Sequence, residues 1–289
     1  MRDGTMTIGV IAPASRIPPD LPSRITALAA RLYPARTPEI LFHPHCFETD
    51  GHFAGSDDDR AAAFQEMADD PAIDALWFAR GGYGSCRIID KITISAEARR
   101  KIYLGYSDMG SLHALLYRSG VERIAHGPMP ADLSRPGGGE AVARALAFLI
   151  EGRPDTLEPT LVPGVPSAAF NMTILSHLIG TPWEPDLTGH VLMLEEVSEY
   201  MYRIDRALFH ITSAPSIRRI AGLRLGRCSD IPANDPDFGQ NETDIACHWC
   251  RRAGIPFLGR ADIGHDAGNR IVPFGLWRGP AARSGSVDH

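Results

Sequence analysis

The stretch Lys101-Ile-Tyr-Leu-Gly-Tyr-Ser-Asp-Met-Gly-Ser111, continued by Leu112-His-Ala-Leu-Leu-Tyr117, changes its apolar period halfway along. Ile102, Tyr103 and Leu104 form a short apolar run of the buried-strand type. From Met109 the spacing becomes helical, with Leu112, Leu115 and Leu116 on one side. Gly105-Tyr106-Ser107-Asp108 lies between the two periods, at a strand-to-helix turn. A serine there has its hydroxyl held clear of the backbone, beside first-turn amides that can hold an oxyanion. That geometry suits a nucleophile. A simpler reading makes Ser107 the N-cap of the helix.

Working outward, strand and helix signals alternate. Strands are predicted at Thr7 to Ala12, Ile40 to Phe42, Ala75 to Phe78, Lys101 to Gly105 and Ile124 to His126. Helices are predicted at Leu21 to Leu32, from a Ser56 cap to Ala68, and at Gly139 to Ile150. This alternation predicts an α/β fold, with an open parallel sheet carrying helices on both faces. Residues 1–150 are thus assigned to an N-terminal domain. Residues 151–169 are rich in proline and without period, which predicts a linker. Residues 170–278 are read as a smaller C-terminal domain. Its predicted helices lie at Asn171 to Ile179, Tyr202 to Ile211 and Thr243 to Ala253. Its strands are predicted at Val191 to Leu194, Ile220 to Leu225, Pro256 to Leu258 and Arg270 to Phe274. The small, polar stretch 279–289 reads as a disordered tail.

The 289 residues suffice for two modest domains. With 29 basic and 35 acidic residues the net charge is -6, and no basic run is present to grip nucleic acid. The apolar stretch near the N-terminus is short, Gly-broken and ended by Pro13. No segment approaches the roughly 18 apolar residues of a membrane span. A soluble, cytoplasmic protein is expected, and five cysteines suit a reducing compartment. Cys247-His-Trp-Cys250 has metal-knuckle spacing but no second pair at zinc-site distance, so the cysteines read as structural. His43-Pro-His45 reads as a loop, because Pro44 prevents a helical ligand face. No metal or other cofactor is expected.

Three further stretches carry chemistry. Trp77-Phe-Ala-Arg-Gly-Gly-Tyr-Gly84 is a strand running into a glycine turn that lets a ligand approach backbone amides. It reads as a second oxyanion donor, an anion loop or a plain tight turn. His190-Val-Leu-Met-Leu-Glu-Glu-Val197 is a buried strand ending in two acids, which need a cationic or hydrogen-bonding partner. His265, in the glycine-rich loop Ile263 to Gly268, supplies one. Ser107, Glu195 and His265 together give a nucleophile, an orienter and a general base. His126 is the rival histidine and Glu196 the rival carboxylate.

Ala79-Arg-Gly-Gly-Tyr-Gly84, Gly105-Tyr-Ser-Asp108, His126-Gly-Pro128, Leu194-Glu-Glu-Val197 with Tyr202-Arg-Ile-Asp-Arg206, and Gly264-His265 follow one another in a recognisable order. Over Ile8 to Gly275 the chain resembles the LD-carboxypeptidases, serine peptidases of the muramoyltetrapeptide type that include the microcin C immunity peptidases. The resemblance implies a flavodoxin-like or amidotransferase-like N-terminal domain carrying the serine, and a C-terminal domain carrying Glu and His. It implies a Ser107-Glu195-His265 triad, oxyanion amides at Asp108 and at Gly81 or Gly82, no metal, and a dimer. The implied activity is release of the terminal D-alanine from peptidoglycan tetrapeptides. A substrate with a free carboxylate predicts an arginine in the cleft, with Arg80 and Arg203 as candidates. The alternatives are a peptidyl-nucleotide or aminoacyl-nucleotide substrate, or a non-catalytic small-ligand binder. The chain departs from its relatives at Ala169-Phe-Asn-Met172, where Gly-Gly-Asn-Leu is common, and at Asp266-Ala267, where Gly-Pro or similar often follows the histidine.

Overall fold

The computed structural model describes residues 5–277. The predicted tail at 279–289 lies outside the described residues. The first half runs β1 (Thr7–Ile11), α1 (Leu21–Leu32), β2 (Glu39–Phe42), α2 (Asp57–Asp69), β3 (Ala75–Phe78), β4 (Ile102–Gly105), α3 (Gly110–Arg118), β5 (Ile124–His126) and α4 (Gly138–Glu151). The second half runs β6 (Ser167–Asn171), α5 (Met172–Leu178), β7 (Val191–Val197), α6 (Met201–Ser213), β8 (Gly222–Ser229), α7 (Glu242–Ala253), β9 (Phe257–Arg260) and β10 (Val272–Pro273). The fold is α/β, built on two sheets. One has six strands in the order β10-β5-β4-β3-β1-β2, the other four in the order β6-β7-β8-β9. All pairings are parallel except β10 on β5.

Alternation along the strands decides which layer each side chain joins. Ile8, Val10, Trp77 and Leu104 face the apolar sides of α1 and α4. Leu76, Phe78 and Tyr103 face α2 and α3, in a core that continues without a break into the second sheet and α5, α6 and α7. Both faces of the larger sheet are therefore covered, as parallel sheets require. The Ser56 cap forms a full capping box, with its hydroxyl and the Asp59 carboxylate satisfying each other's backbone amides. Lys101, one of only two lysines, is buried, and its ammonium donates to the Asp70 and Ile73 carbonyls at 2.6 and 2.7 Å.

Two elements depart from the sequence reading. The stretch read as linker contains the start of β6, whose Ser-Ala-Ala-Phe-Asn sequence has no side-chain period to announce a strand. The strand expected at Arg270 to Phe274 shortens to β10 and crosses back to pair with β5, joining the first sheet instead of the second. That crossover brings the chain on either side of His265 close to the strand ends of the larger sheet.

Candidate active site

Ser107 sits where β4 ends and a short 3-10 turn (Ser107–Met109) leads into α3. Its φ is +63°, one of three positive values among the non-glycine residues described. Such a conformation costs a β-carbon-bearing residue about 1–3 kcal/mol and is typically kept where function needs it. The N-cap reading does not hold: α3 is capped by Met109 without any side-chain bond. The Ser107 hydroxyl instead lies 3.1 Å from Nε2 of His265. Gly110, three residues on, is small because Phe170 and Ile174 pack where its β-carbon would be. Phe170 also meets Phe274 edge to face at 5.2 Å.

Nδ1 of His265 is 2.5 Å from Oε2 of Glu195, which is fully buried. Three segments thus meet in one hydrogen-bonded line: the β4 turn, β7 and the loop after β9. Glu195 and Glu196 point to opposite faces of β7. Glu196 turns toward the start of α5 and accepts bonds from Asn171 Nδ2 at 2.6 Å, Thr173 N at 2.9 Å and Thr173 Oγ1 at 2.7 Å. Burial nevertheless raises its pKa. Glu195 fits because β8 bulges opposite it. The register slips between Leu194 and Glu196, and Gly226 leaves room that a β-carbon would fill at 3.0 Å from Cβ of Glu195. Glu195 Oε1 has no hydrogen-bond partner.

The His265 loop is held from below by arginines. Arg135 donates to the His265 carbonyl, and Arg144 donates to the carbonyls of Ala267 and Asn269 at 3.0 and 2.8 Å. Asp266, where relatives often differ, is bound by Arg227 at 2.5 and 2.9 Å and caps Gly268 N at 2.7 Å. Tyr106 packs its ring 4.9 Å from that of His265 while its hydroxyl donates to Asp132 at 2.8 Å. Burial alone would lower the His265 pKa, but the Glu195 carboxylate outweighs it and the net shift is upward. The rival His126 lies fully buried behind Tyr106, with burial pushing its pKa down to about 3. It does not reach the serine.

The other candidates divide. A β-carbon on Gly81 would lie 2.8 Å from both Cβ and Oγ of Ser107, so this glycine is pressed against the hydroxyl. Gly82, with φ +125°, abuts Ser15 instead. Arg80 lines the cleft beside Ser107 and His265, as does Arg135, which the sequence reading did not single out. Arg203 lines neither cleft around Ser107. It pairs with Glu199 one turn earlier at 3.5 Å, more than half exposed. Asp108 is buried, and its side chain turns away from Ser107 toward Ser85. Cys247 and Cys250 are both free thiols on α7. His43 caps a 3-10 turn (Pro44–Phe47) that contains His45, with their Nδ1 atoms 3.0 Å apart.

Residues 8–127 match the LD-carboxypeptidase N-terminal domain and residues 168–278 its C-terminal domain. A carboxypeptidase homologue from Streptomyces coelicolor is 31% identical over 287 residues, covering 93% of this chain and 88% of its own. The murein tetrapeptide carboxypeptidase of Pseudomonas aeruginosa is 26% identical over 294 residues, covering 93% and 91%. Among solved structures, muramoyltetrapeptide carboxypeptidase from Oxalobacter formigenes superposes with a TM-score of 0.74 at 24% identity, covering 93% of each chain. The microcin C7 self-immunity protein MccF superposes with a TM-score of 0.76 at 17% identity, covering 93% and 91%. The chain belongs to the LD-carboxypeptidase family and is a peptidase by that membership. Among the described residues no helix is long and apolar enough to cross a membrane.

Proposed function

We propose that the protein is a serine carboxypeptidase that releases the terminal D-alanine from peptidoglycan tetrapeptide stems. The observation that carries this reading is the unbroken line from Ser107 Oγ through His265 to Glu195. In it, Ser107 attacks the carbonyl carbon and His265 Nε2 takes its proton. His265 then returns the proton to the leaving amine, while Glu195 holds the imidazole tautomer and stabilises the imidazolium. The Asp108 amide and the glycine turn at Gly81 and Gly82 hold the oxyanion, each donor contributing about 3 kcal/mol in the transition state. The relative from Pseudomonas aeruginosa, named as a murein tetrapeptide carboxypeptidase, supports the substrate.

Two lobes meet at Ser107 and suggest how the peptide lies. The lobe containing His265, of about 410 Å³, also contains Arg80 and Arg135. The leaving amine must sit within reach of His265, so the leaving residue and its carboxylate belong in this cationic lobe. The other lobe, of about 390 Å³, is walled by Ile89, Ile174, Leu178 and Trp183 with Glu199 at its edge, and takes the acyl side. Replacement of Arg80 by Ala is expected to raise KM about tenfold for peptides with a free C-terminal carboxylate, the worth of one charge-assisted hydrogen bond. Peptides amidated at the C-terminus should not feel the change. Steady-state kinetics on the two peptides checks this.

The direct test is release of free D-alanine from L-Ala-γ-D-Glu-meso-diaminopimelyl-D-Ala. Absence of release, with hydrolysis of a peptidyl-nucleotide instead, would move the protein to the alternative nucleotide-linked substrate class. A cytoplasmic homodimer is part of the proposal, and light scattering on the purified protein tests the dimer.

A further inference from the structure

The catalytic reading uses only the backbone of Asp108, yet its carboxylate is buried at 2% exposure. Burying a carboxylate without an ion-pair partner in hydrogen-bond contact is costly. This one accepts from the Ser85 amide at 2.9 Å, and the Ser85 hydroxyl donates a second bond to the Asp108 backbone carbonyl at 2.6 Å. The residue after the nucleophile is therefore tied, by two bonds that Ser85 donates, to the residue that follows the glycine turn. The turn is tied a second time. Arg60, fully buried on α2, donates to the Gly84 carbonyl at 2.9 Å and to the Pro13 carbonyl. Its guanidinium is paired with Asp57 and lies over the Phe53 ring at 4.7 Å. Gly84, with φ +137°, leaves the room this needs, since a β-carbon there would meet Phe53 at 2.8 Å and Arg60 at 2.9 Å.

We infer that Asp108 and Arg60 are positioning residues that fix the glycine turn against the Ser107 elbow and so set the separation of the two oxyanion donors. The inference rests on the serine-peptidase reading above. One donor is the amide of Asp108 itself, and the other belongs to the turn that the Asp108 side chain grips. The spacing of the pair is thus set by one residue's backbone and carboxylate, with Arg60 preventing the far end of the turn from swinging toward solvent. Donors at 2.7–3.1 Å from a developing oxyanion are sensitive to small displacements, whereas ground-state binding in the two lobes is not. The burial that makes the clamp rigid also lifts the Asp108 carboxyl to about 6.

Asp108→Ala removes the acceptor, and Asp108→Asn retains an oxygen for the Ser85 amide. With D-alanine release as the assay, the alanine variant is expected to lose about 100-fold in kcat with KM within about twofold, as for removal of one oxyanion donor. The asparagine variant should stay within about fivefold of wild type. Ser85→Ala, which deletes only the bond from the hydroxyl to the Asp108 carbonyl, should lose about fivefold in kcat, the worth of one neutral hydrogen bond. A second readout is the rate at which a fluorophosphonate labels Ser107, since its phosphoryl oxygen occupies the same hole. Labelling should slow in the same order, and it does not depend on the peptide chosen. A folded Asp108→Ala protein with wild-type kcat or labelling rate overturns the clamp, as does an asparagine variant as impaired as the alanine one. If the alanine variant does not fold, wild-type rates in Ser85→Ala overturn it. Wild-type protein that labels but releases no D-alanine defeats the substrate assignment alone. Wild-type protein that does neither defeats the serine reading and the clamp together.

Discussion

Replacing Ser107 by Ala should abolish D-alanine release, by at least about 10⁴-fold, while the melting temperature stays where it is. The size follows from the proposed triad acting as a unit: without the nucleophile, His265 and Glu195 would have nothing to activate, and only binding and the proposed oxyanion amides would remain. The unchanged stability follows from the backbone. Alanine keeps the β-carbon, and with it the cost of φ +63°. Ser107→Gly separates the two effects. It should be equally inactive yet more stable by about 1 kcal/mol, because glycine adopts this conformation freely. D-alanine release and thermal unfolding on the same three proteins check both statements. Activity retained in Ser107→Ala would remove the serine as nucleophile. An unchanged melting temperature in Ser107→Gly would mean that the elbow stores no strain.

The elbow was legible because its signal is local. A strand-period run, a glycine, a serine and a helix-period run lie within about fifteen residues, and each describes its own backbone. The boundaries of α1, β3 and β5 were readable for the same reason. What the sequence could not carry were the pairings between distant segments. Glu195 and Glu196 are both acids on one buried strand, and the distinction between them comes from a bulge in β8 and the missing side chain of Gly226, some thirty residues away. Arg203 and Arg135 are alike as letters. Arg203 is spent on the carboxylate of Glu199, just ahead of its own helix, whereas Arg135 reaches the cleft because the turn before α4 packs under the His265 loop. β6 escaped notice because its small side chains follow a proline-rich stretch. The return of β10 to the first sheet is a long-range antiparallel pairing that no local pattern announces.

Glu195→Gln should change both the rate and its pH dependence. The rate should fall by about 10⁴-fold, as when the orienting carboxylate of a Ser-His-Asp triad becomes an amide. A glutamine that donates its N–H to Nδ1 of His265 leaves the ring proton on Nε2, facing the Ser107 hydroxyl, and the base is lost. The pH effect follows from the two opposing influences on the imidazole. Burial favours its neutral form, and the adjacent Glu195 carboxylate favours the cation and prevails, so the wild-type pKa lies above 6.5. In the proposed mechanism the neutral ring is the base, so kcat/KM should decline as pH falls through a value above 6.5. With the carboxylate gone, burial and the positive field of Arg135 both disfavour the cation and outweigh the smaller opposing field of Glu196. The residual activity of the variant should therefore persist to lower pH, with its acid limb displaced below 6.5. A kcat/KM profile for D-alanine release across pH 5 to 9 in both proteins reads this displacement directly. A limb that stays in place would mean that Glu195 does not set the charge state of His265, and that the short contact between them packs the ring without tuning it.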